Sequence, residues 1–289
     1  MKLSLDTLSN SLKIALITGA NIGIGRITAI ELARQGYKLF LACRSPERTQ
    51  PVIDEIKEIT GKIDSVTFLH LELSDLVSVK KCADAFLSYN LPLHLLINNA
   101  GLAGAKGITS QGFELAFGVN HIGHFLLTKL LIERLKASEP ARVVTVASRA
   151  HRLATNGISW QTLQLPTRSF TGTQEYAQSK LANILFSSQL SKNLINTGVT
   201  TYSLHPGVVD TEVWRKVPQF LRPILRLRKM LTPEQGAQTT LFCALNAPSH
   251  ETGLYYDLSQ IKVPTSHALD ETQAIKLWEH SMQWTAPFQ

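Results

Sequence analysis

Residues 13–35 read KIALITGANIGIGRITAIELARQ, and this stretch decides the fold. Its first part, 13–18, is a short apolar run rich in β-branched residues, which predicts a buried strand. Three glycines follow directly, Gly19, Gly23 and Gly25, and a helical pattern then runs from 26 to 35. In this order, backbone amides and the positive end of the helix can bind a pyrophosphate. The stretch predicts a dinucleotide site, with a simple turn as the alternative.

Strand and helix patterns alternate along the rest of the chain. Apolar strands are predicted at 38–43, 66–73, 93–98, 142–147, 200–204 and 253–258, and helices at 46–60, 76–89, 113–135, 176–194, 233–245 and 271–282. Because each strand is apolar nearly throughout, the sheet is expected to be parallel and covered on both faces. No repeat or linker is evident. The sequence therefore predicts one α/β domain over 1–289, a Rossmann fold with a doubly wound parallel sheet of about seven strands.

Composition argues against several other classes of protein. With 289 residues, 44% of them hydrophobic, the chain can bury a large core. Its three cysteines, Cys43, Cys82 and Cys243, are far apart and lack a Cys-x-x-Cys pattern, which disfavours disulfides and thiolate metal sites and favours the cytoplasm. No export signal or membrane span is evident. The net charge of +7 comes from scattered basic residues, so no nucleic-acid partner is expected.

Two arginines bear on which dinucleotide is bound. In such sites an acidic residue after the second strand bonds the ribose 2′-hydroxyl, whereas an arginine can accept a 2′-phosphate. Arg44 follows the second predicted strand, and Arg26 follows the last glycine. The sequence therefore predicts NADP(H) in preference to NAD(H). The alternative is that both are ordinary surface arginines.

A phenol and an ammonium group lie four residues apart at Tyr176 and Lys180. On a helix with about 3.6 residues per turn they face the same space, and a fixed positive charge favours the phenolate form of tyrosine. Such a pair taken alone is usually an exposed helical pair. Ser148, directly beyond the strand at 142–147, offers a second hydroxyl and is preferred over Thr145 and Ser159.

Three histidines are weighed as further candidates. His121 and His124 stand three apart in the predicted helix 113–135, near metal-ligand spacing, but no third ligand is evident and no metal is predicted. His205, which precedes Pro206, is expected to be a hydrogen-bonding residue at a strand end. The apolar stripe of 113–135 is expected either to pack in the core or, through its exposed face, to take part in a homo-oligomer interface.

The motifs together resemble the classical short-chain dehydrogenase/reductase family. The matching elements, in family order, are Thr18-Gly-x-x-x-Gly-x-Gly25, Asn98-Asn-Ala-Gly101, Asn120, Ser148, Tyr176-x-x-x-Lys180 and Pro206-Gly-x-x-x-Thr211. The glycine spacing differs from that of the extended members of the family. Phrases such as Val-Asn-His-x-Gly-His-Phe are similar to the retinol dehydrogenase and carbonyl reductase-like group.

The resemblance implies a catalytic tetrad of Asn120, Ser148, Tyr176 and Lys180. Tyr176 would protonate the carbonyl oxygen in reduction and take the alcohol proton in oxidation, while Ser148 orients the same oxygen. Lys180 would bind the nicotinamide ribose and, together with the oxidised nicotinamide, lower the pKa of Tyr176. Asn120 would hold a water that links Lys180 to solvent.

The resemblance also implies a set of cofactor-binding residues that follows the motifs. They are Thr18, Gly19, Asn21, Ile22, Gly23, Ile24, Gly25, Arg26, Arg44, Glu72, Leu73, Asn99, Ala100, Gly101, Tyr176, Lys180, Pro206, Gly207, Val209 and Thr211. Thr211 would reach the nicotinamide carboxamide. Glu72 stands where the family usually has an aspartate that contacts the adenine.

These observations predict an NADP(H)-dependent oxidoreductase that interconverts an alcohol and a carbonyl compound. A segment at about 208–232 is expected to cover the substrate, and its Trp214, Phe220, Leu221 and Leu225 suggest a hydrophobic substrate such as a retinoid, steroid or lipid aldehyde. Within it, the basic amphipathic pattern of 215–229 leaves weak contact with a membrane surface open. The rival hypothesis is a catalytically silent NADP-binding sensor or interaction protein.

Overall fold

The central sheet has eight strands in the computed structural model, which describes residues 12–209 and 231–289. The strands are β1 Ile14–Thr18, β2 Lys38–Cys43, β3 Val66–His70, β4 Leu95–Asn98, β5 Ala141–Val146, β6 Val199–His205, β7 Tyr255–Asp257 and β8 Gln260–Ile261. Their order in the sheet is β3-β2-β1-β4-β5-β6-β7-β8, and only the β7–β8 pairing is antiparallel. The doubly wound parallel sheet of seven strands is confirmed. The two-residue strand β8 was too short to predict.

Helices connect the parallel strands within the described residues. They are α1 Gly23–Arg34, α2 Pro46–Thr60, α3 Leu76–Ser88, α4 Leu115–Lys136, α5 Thr173–Asn193, α6 Pro233–Leu245 and α7 Glu271–Thr285. Local signals set several of their ends. The Ser45 side chain accepts a hydrogen bond from the Arg48 amide at the start of α2, and Gly61 ends that helix with a φ of 65°.

Strand β1 shows how the sheet separates two hydrophobic cores. All five of its residues are buried, and successive side chains point to opposite faces. Ile14 and Leu16 belong to the core formed with α3, α4, α5 and α7, whereas Ala15 and Ile17 belong to the core formed with α1, α2 and α6. Burial on both faces explains why the strand is apolar throughout.

Helix α4 contains one wide turn, of π-helical form, at Gly118–Ile122. Such turns interrupt the regular hydrogen-bond ladder and are frequent at functional sites. By length and composition α4 is also the one described helix that could span a membrane, with a mean hydropathy of 1.3 over a window that is 83% buried. Its packing in the core, through residues such as Phe117 and Phe125, accounts for that composition.

Cys43, Cys82 and Cys243 are free and buried. Burial raises the pKa of Cys82 to about 12, so its thiol stays protonated. The segment predicted to cover the substrate lies largely outside the described residues. Thr211, the four apolar side chains from Trp214 to Leu225, and the basic pattern at 215–229 all fall there.

Candidate active site

The glycine turn after β1 packs tightly against the segment after β4. Gly19 has a φ of 66°, and a Cβ placed on it would lie 2.9 Å from the Cα of Ala100. A Cβ on Gly25 would lie 2.3 Å from the carbonyl oxygen of Gly19 and 2.5 Å from Nδ2 of Asn99. Both positions therefore require glycine. The side-chain amide of Asn99 also donates, through Nδ2, to the Thr18 carbonyl at 2.8 Å, which ties the two segments together.

The other predicted cofactor residues of this turn lie at the start of α1. Ile22 is the extended residue before the helix, Gly23 and Ile24 open its first turn, and Asn21 precedes them. The backbone amides at a helix start have no partner within the helix, and the helix dipole adds partial positive charge there. This arrangement suits an anion such as a pyrophosphate.

The Thr18 hydroxyl is the meeting point of three segments. The amides of Asn99 and Ala100 both donate to Thr18 Oγ1 at 2.9 Å, and His124 Nε2 lies 2.9 Å from the same oxygen. On its other side His124 Nδ1 lies 3.1 Å from the Asn120 carbonyl oxygen. One hydroxyl and one imidazole thus connect the end of β1, the segment after β4 and the wide turn of α4.

The hydrogen-bond partners determine the protonation state of His124. A carbonyl oxygen only accepts, so Nδ1 carries the proton and Nε2 accepts from the Thr18 hydroxyl. Burial lowers the pKa of His124 to about 4, which keeps the ring neutral. His121 lies in the other direction, with Nε2 at 3.0 Å from Ser281 Oγ. The two histidines therefore serve separate structural contacts.

Asn120 links the segment after Gly101 to helix α5. Its side-chain oxygen accepts from the Leu102 amide at 2.9 Å, and its Nδ2 donates to the Leu102 carbonyl at 3.0 Å and to Ser179 Oγ at 2.9 Å. The Ser179 hydroxyl donates in turn to the Tyr176 carbonyl at 2.7 Å. A Cβ on Gly101 would lie 3.2 Å from Asn120 Oδ1, so a side chain there would crowd this link.

Lys180 carries an ammonium group that is almost fully buried. Its Nζ donates to the Val146 carbonyl oxygen at 2.8 Å and lies 5.7 Å from the centre of the Tyr176 ring. The residue is 3% exposed, and burial lowers the pKa of Lys180 to about 7. Burial therefore favours the neutral amine of Lys180 more strongly than that of an exposed lysine.

Tyr176 and Ser148 are in contact through their side chains. Burial raises the pKa of Tyr176, and the hydrogen bond with Ser148 opposes that rise. The lowered pKa that the sequence suggested does not arise from the protein groups alone. Of the rival hydroxyls, Thr145 Oγ1 is buried and has no hydrogen-bond partner among the described residues.

The two candidate arginines for a 2′-phosphate each stand opposite a carboxylate. Arg26 contacts Glu55 at 2.5 Å, and Arg44 contacts Glu72 at 3.4 Å. The other oxygen of Glu72 accepts from the Ser74 amide at 3.1 Å and the Ser74 hydroxyl at 2.8 Å. The Glu72 carboxylate, predicted to contact adenine, is thus already held by its neighbours.

Several of the remaining predicted residues pack in the interior. Leu73 is 5% exposed, and its carbonyl oxygen would lie 2.7 Å from a Cβ on Gly123. Val209 is 4% exposed and packs against Gly236, while Gly207 has a φ of 93°. Pro206 lies between β6 and this turn, and Thr211 falls outside the described residues.

The prediction for His205 was wrong. It was expected to hydrogen-bond at the strand end, yet neither ring nitrogen has a partner among the described residues. His205 is 3% exposed, and burial lowers its pKa. The sequence also missed the role of His124, which was considered only as a metal ligand. Its signal was present, because a polar residue in a strongly apolar helix requires a buried partner.

Comparisons with known proteins identify relatives of the chain. The family model described as short chain dehydrogenase matches residues 13–160. Retinol dehydrogenase 11 from Homo sapiens is 43% identical over 273 residues, covering 93% of this chain and 84% of the relative. Dehydrogenase/reductase SDR family member 13 from Bos taurus is 44% identical over 276 residues, covering 92% and 71%. A crystal structure of an uncharacterized protein from Mycobacterium paratuberculosis, 31% identical, superposes with a TM-score of 0.75, covering 95% of this chain and 93% of that one.

Replacing Thr18 with valine should destabilise the fold by about 3 kcal/mol, because two buried amides and one imidazole nitrogen lose their partner. Thr18→Ser should retain most of the stability. Thr28→Val is the matched control, since the Thr28 hydroxyl is buried without a partner among the described residues. Urea unfolding measures all three variants. Equal stability of the Thr18→Val and Thr28→Val variants would contradict the role of the hydroxyl.

The buried ammonium of Lys180 should make stability depend on pH. Its pKa is about 7 in the folded chain and about 10.4 in an unfolded one, so between these values the unfolded state binds more protons. The free energy of unfolding of the wild type, minus that of Lys180→Met, should therefore rise from pH 7 to pH 9.5. Lys192→Met, on the same helix, controls for general loss of a lysine. A difference that stays flat or falls would count against the lowered pKa.

Proposed function

The chain belongs to the short-chain dehydrogenase family, and we propose that it is an NADP(H)-dependent oxidoreductase that interconverts an alcohol and a carbonyl compound. The observation that carries the proposal is the meeting of Ser148, Tyr176 and Lys180 at the edge of the sheet where β5 ends. The glycine turn after β1 lies at the same edge, because parallel strands end on one side of the sheet.

The proposed chemistry divides between cofactor and protein. The nicotinamide supplies or accepts the hydride. Tyr176 gives its phenolic proton to the carbonyl oxygen in reduction and, as phenolate, takes the alcohol proton in oxidation. Ser148, which already contacts the phenol, donates a hydrogen bond to the same substrate oxygen. Both hydroxyls then act on one oxygen atom from neighbouring positions.

Lys180 controls the charge of the site in this proposal. Burial lowers the pKa of Lys180 to about 7, and the Val146 carbonyl is an uncharged acceptor. Ribose hydroxyls of a bound cofactor would add acceptors and favour the ammonium form. A fully protonated Lys180 would then favour the Tyr176 phenolate. Asn120 completes the proposed tetrad by securing a water between Lys180 and solvent, and its backbone is fixed for that role by His124.

The cofactor set follows the segments joined at Thr18. We assign the pyrophosphate to the turn from Gly19 to Gly25, and the nicotinamide side to the segments at Asn99–Gly101 and Pro206–Gly207. NADP(H) is preferred because Arg44 is 73% exposed on its side chain and bonds Glu72 only loosely, at 3.4 Å. Arg26 contributes a second positive charge nearby in the sequence. Thr211 is assigned to the carboxamide by resemblance.

A hydrophobic substrate such as a retinoid, steroid or lipid aldehyde is proposed. Large apolar side chains are exposed in the interval that follows Ser148, with Leu153 53% and Phe170 75% exposed. Exposed apolar groups beside a polar reaction centre suit an extended apolar ligand. The relative named retinol dehydrogenase 11 supports the same class. The segment at 208–232 would cover such a substrate.

The proposal also covers domain organisation, location and oligomeric state. They are a single domain over 1–289, a cytoplasmic location with weak contact to a membrane surface through 215–229, and a homo-oligomer. The rival, a silent NADP-binding sensor, is disfavoured by the contact of Tyr176 with Ser148, because a pure binding protein has no need of two hydroxyls beside a buried ammonium.

Replacing Tyr176 with phenylalanine should abolish turnover while sparing NADPH binding. General acid–base catalysis contributes about 10²- to 10⁴-fold, so kcat should fall by at least that lower value. Tyr89→Phe is the matched control, because Tyr89 lies at the end of α3 and is 48% exposed. NADPH consumption measures turnover, and fluorescence titration measures binding. Activity that survives in Tyr176→Phe would rule out the proposed mechanism.

The same assay distinguishes substrate classes. NADPH consumption over a carbonyl panel should be faster with retinals, ketosteroids and long-chain aldehydes than with small polar carbonyls. The reverse order would reject the hydrophobic substrate while leaving the reaction class intact.

Arg44→Ala should raise KM for NADPH about tenfold or more and leave KM for NADH nearly unchanged, because a charge-assisted bond to the 2′-phosphate is lost. Glu72→Gln should act in the opposite direction, since it removes a negative charge beside that phosphate. Arg134→Ala, an exposed arginine on α4, is the control. Wild-type protein that uses NADH as well as NADPH would refute the assigned preference.

A further inference from the structure

The turn that carries Ser148 has few restraints from the sheet itself. Pairing of β5 with β6 ends where the Ala147 amide donates to the Leu204 carbonyl at 2.8 Å. Ser148 then caps the short 3-10 helix Arg149–Leu153, since its Oγ accepts from the Ala150 amide at 3.1 Å. A serine just beyond a strand, held only by its own turn, needs other contacts to keep its hydroxyl fixed on a partner.

The first such contact is a two-pronged ion pair. Arg149 Nε donates to Asp257 Oδ2 at 2.5 Å, and Arg149 Nη2 donates to Asp257 Oδ1 at 2.9 Å. Asp257 is the last residue of β7 and its side chain is 8% exposed. A carboxylate buried to this extent needs a partner, and the planar guanidinium fixes both distance and orientation. The residue directly after Ser148 is therefore anchored to β7.

The second contact is a buried imidazole. His151 Nδ1 lies 2.7 Å from the Ser148 carbonyl oxygen, and the Thr265 amide donates to His151 Nε2 at 3.3 Å. Because a carbonyl accepts and an amide donates, both bonds form only when the ring is neutral with its proton on Nδ1. His151 is 0% exposed, and its ring packs edge-on against Tyr255 at 5.3 Å. Ser148 is thereby tied to residue 265.

We propose that Arg149, His151 and Asp257 are positioning residues that hold the Ser148 hydroxyl against Tyr176. The inference rests on the proposed function, in which that hydroxyl acts on the substrate oxygen. Arg149 and His151 follow Ser148 in the same turn, and both bond residues of the C-terminal part of the chain, more than 100 residues away in sequence. In this proposal all three residues affect the reaction by fixing the position of Ser148.

If these contacts only stabilised the fold, their loss would lower the stability of the protein without a selective effect on kcat. The positioning role instead requires that kcat falls, that NADPH affinity is retained, and that the loss disappears once Ser148 has no hydroxyl. These requirements separate the two roles, because the interaction of two residues is measured by a double-mutant cycle.

The test uses the full-length protein, NADPH and a carbonyl compound that the wild type reduces. Arg149→Met and His151→Phe should lower kcat at least tenfold, with NADPH Kd changed less than about twofold. Arg149→Lys, which keeps the charge, should recover part of the loss. Arg152→Met is the matched control on the same turn, where the native side chain makes a 3.5 Å bond to the Val263 carbonyl. In a Ser148→Ala background, Arg149→Met should cause no further loss, and independent losses would overturn the proposal.

A second readout does not depend on turnover. The six tyrosines can be labelled with ¹³C, and the Tyr176 signal is assigned by its absence in Tyr176→Phe. Because the bond with Ser148 lowers the pKa of Tyr176, Arg149→Lys and His151→Gln should raise that pKa toward the value in Ser148→Ala. A Tyr176 titration unchanged from wild type would overturn the proposal. This holds even if the wild type reduces no carbonyl, which would instead reject the proposed function.

Discussion

The hydroxyl of Thr18 is the contact on which the arrangement of the site depends. Thr18 is the last residue of β1. Its hydroxyl accepts hydrogen bonds from two backbone amides of the segment after β4 and donates one to His124 on α4. The His124 imidazole in turn donates to the Asn120 carbonyl, which extends the network to the wide turn of α4. In this series of hydrogen bonds each donor faces an acceptor, so each proton has one position. The segments that the bonds join therefore cannot shift independently. The glycine turn after β1, the segment after β4 and the wide turn of α4 are thereby held in one geometry.

Charge in the site is controlled by burial. An ammonium and a phenol lie in a poorly hydrated space, and burial drives Lys180 toward its neutral form and Tyr176 toward its protonated form. Each shift favours the uncharged form of its group. A ligand that offers acceptors to Lys180 would reverse both, because restoring the ammonium also favours the phenolate. Under the proposed function, cofactor binding would therefore complete the acid–base site.

Local signals in the sequence were sufficient to predict the strands, the glycine turn and the helical pair at Tyr176 and Lys180. Each of these depends on residues within one turn or one strand. The contacts missed are long-range: Thr18 with His124, and Arg149 with Asp257, join residues 106 and 108 positions apart. Periodicity contains no information on such partners. The sequence nevertheless contained one signal for Asp257, since an acidic residue that ends an apolar strand and is buried there requires a cationic partner.

The choice of cofactor illustrates the same limit in electrostatic form. Two arginines in the motif positions suggest two positive charges, but each lies opposite a glutamate, so a 2′-phosphate must compete with a carboxylate. Arg26 and Glu55 are in close contact, with side chains 38% and 33% exposed. Arg44 is 73% exposed and bonds Glu72 at 3.4 Å, a weak contact in water. Turning Arg44 away from Glu72 therefore costs less than turning Arg26 away from Glu55.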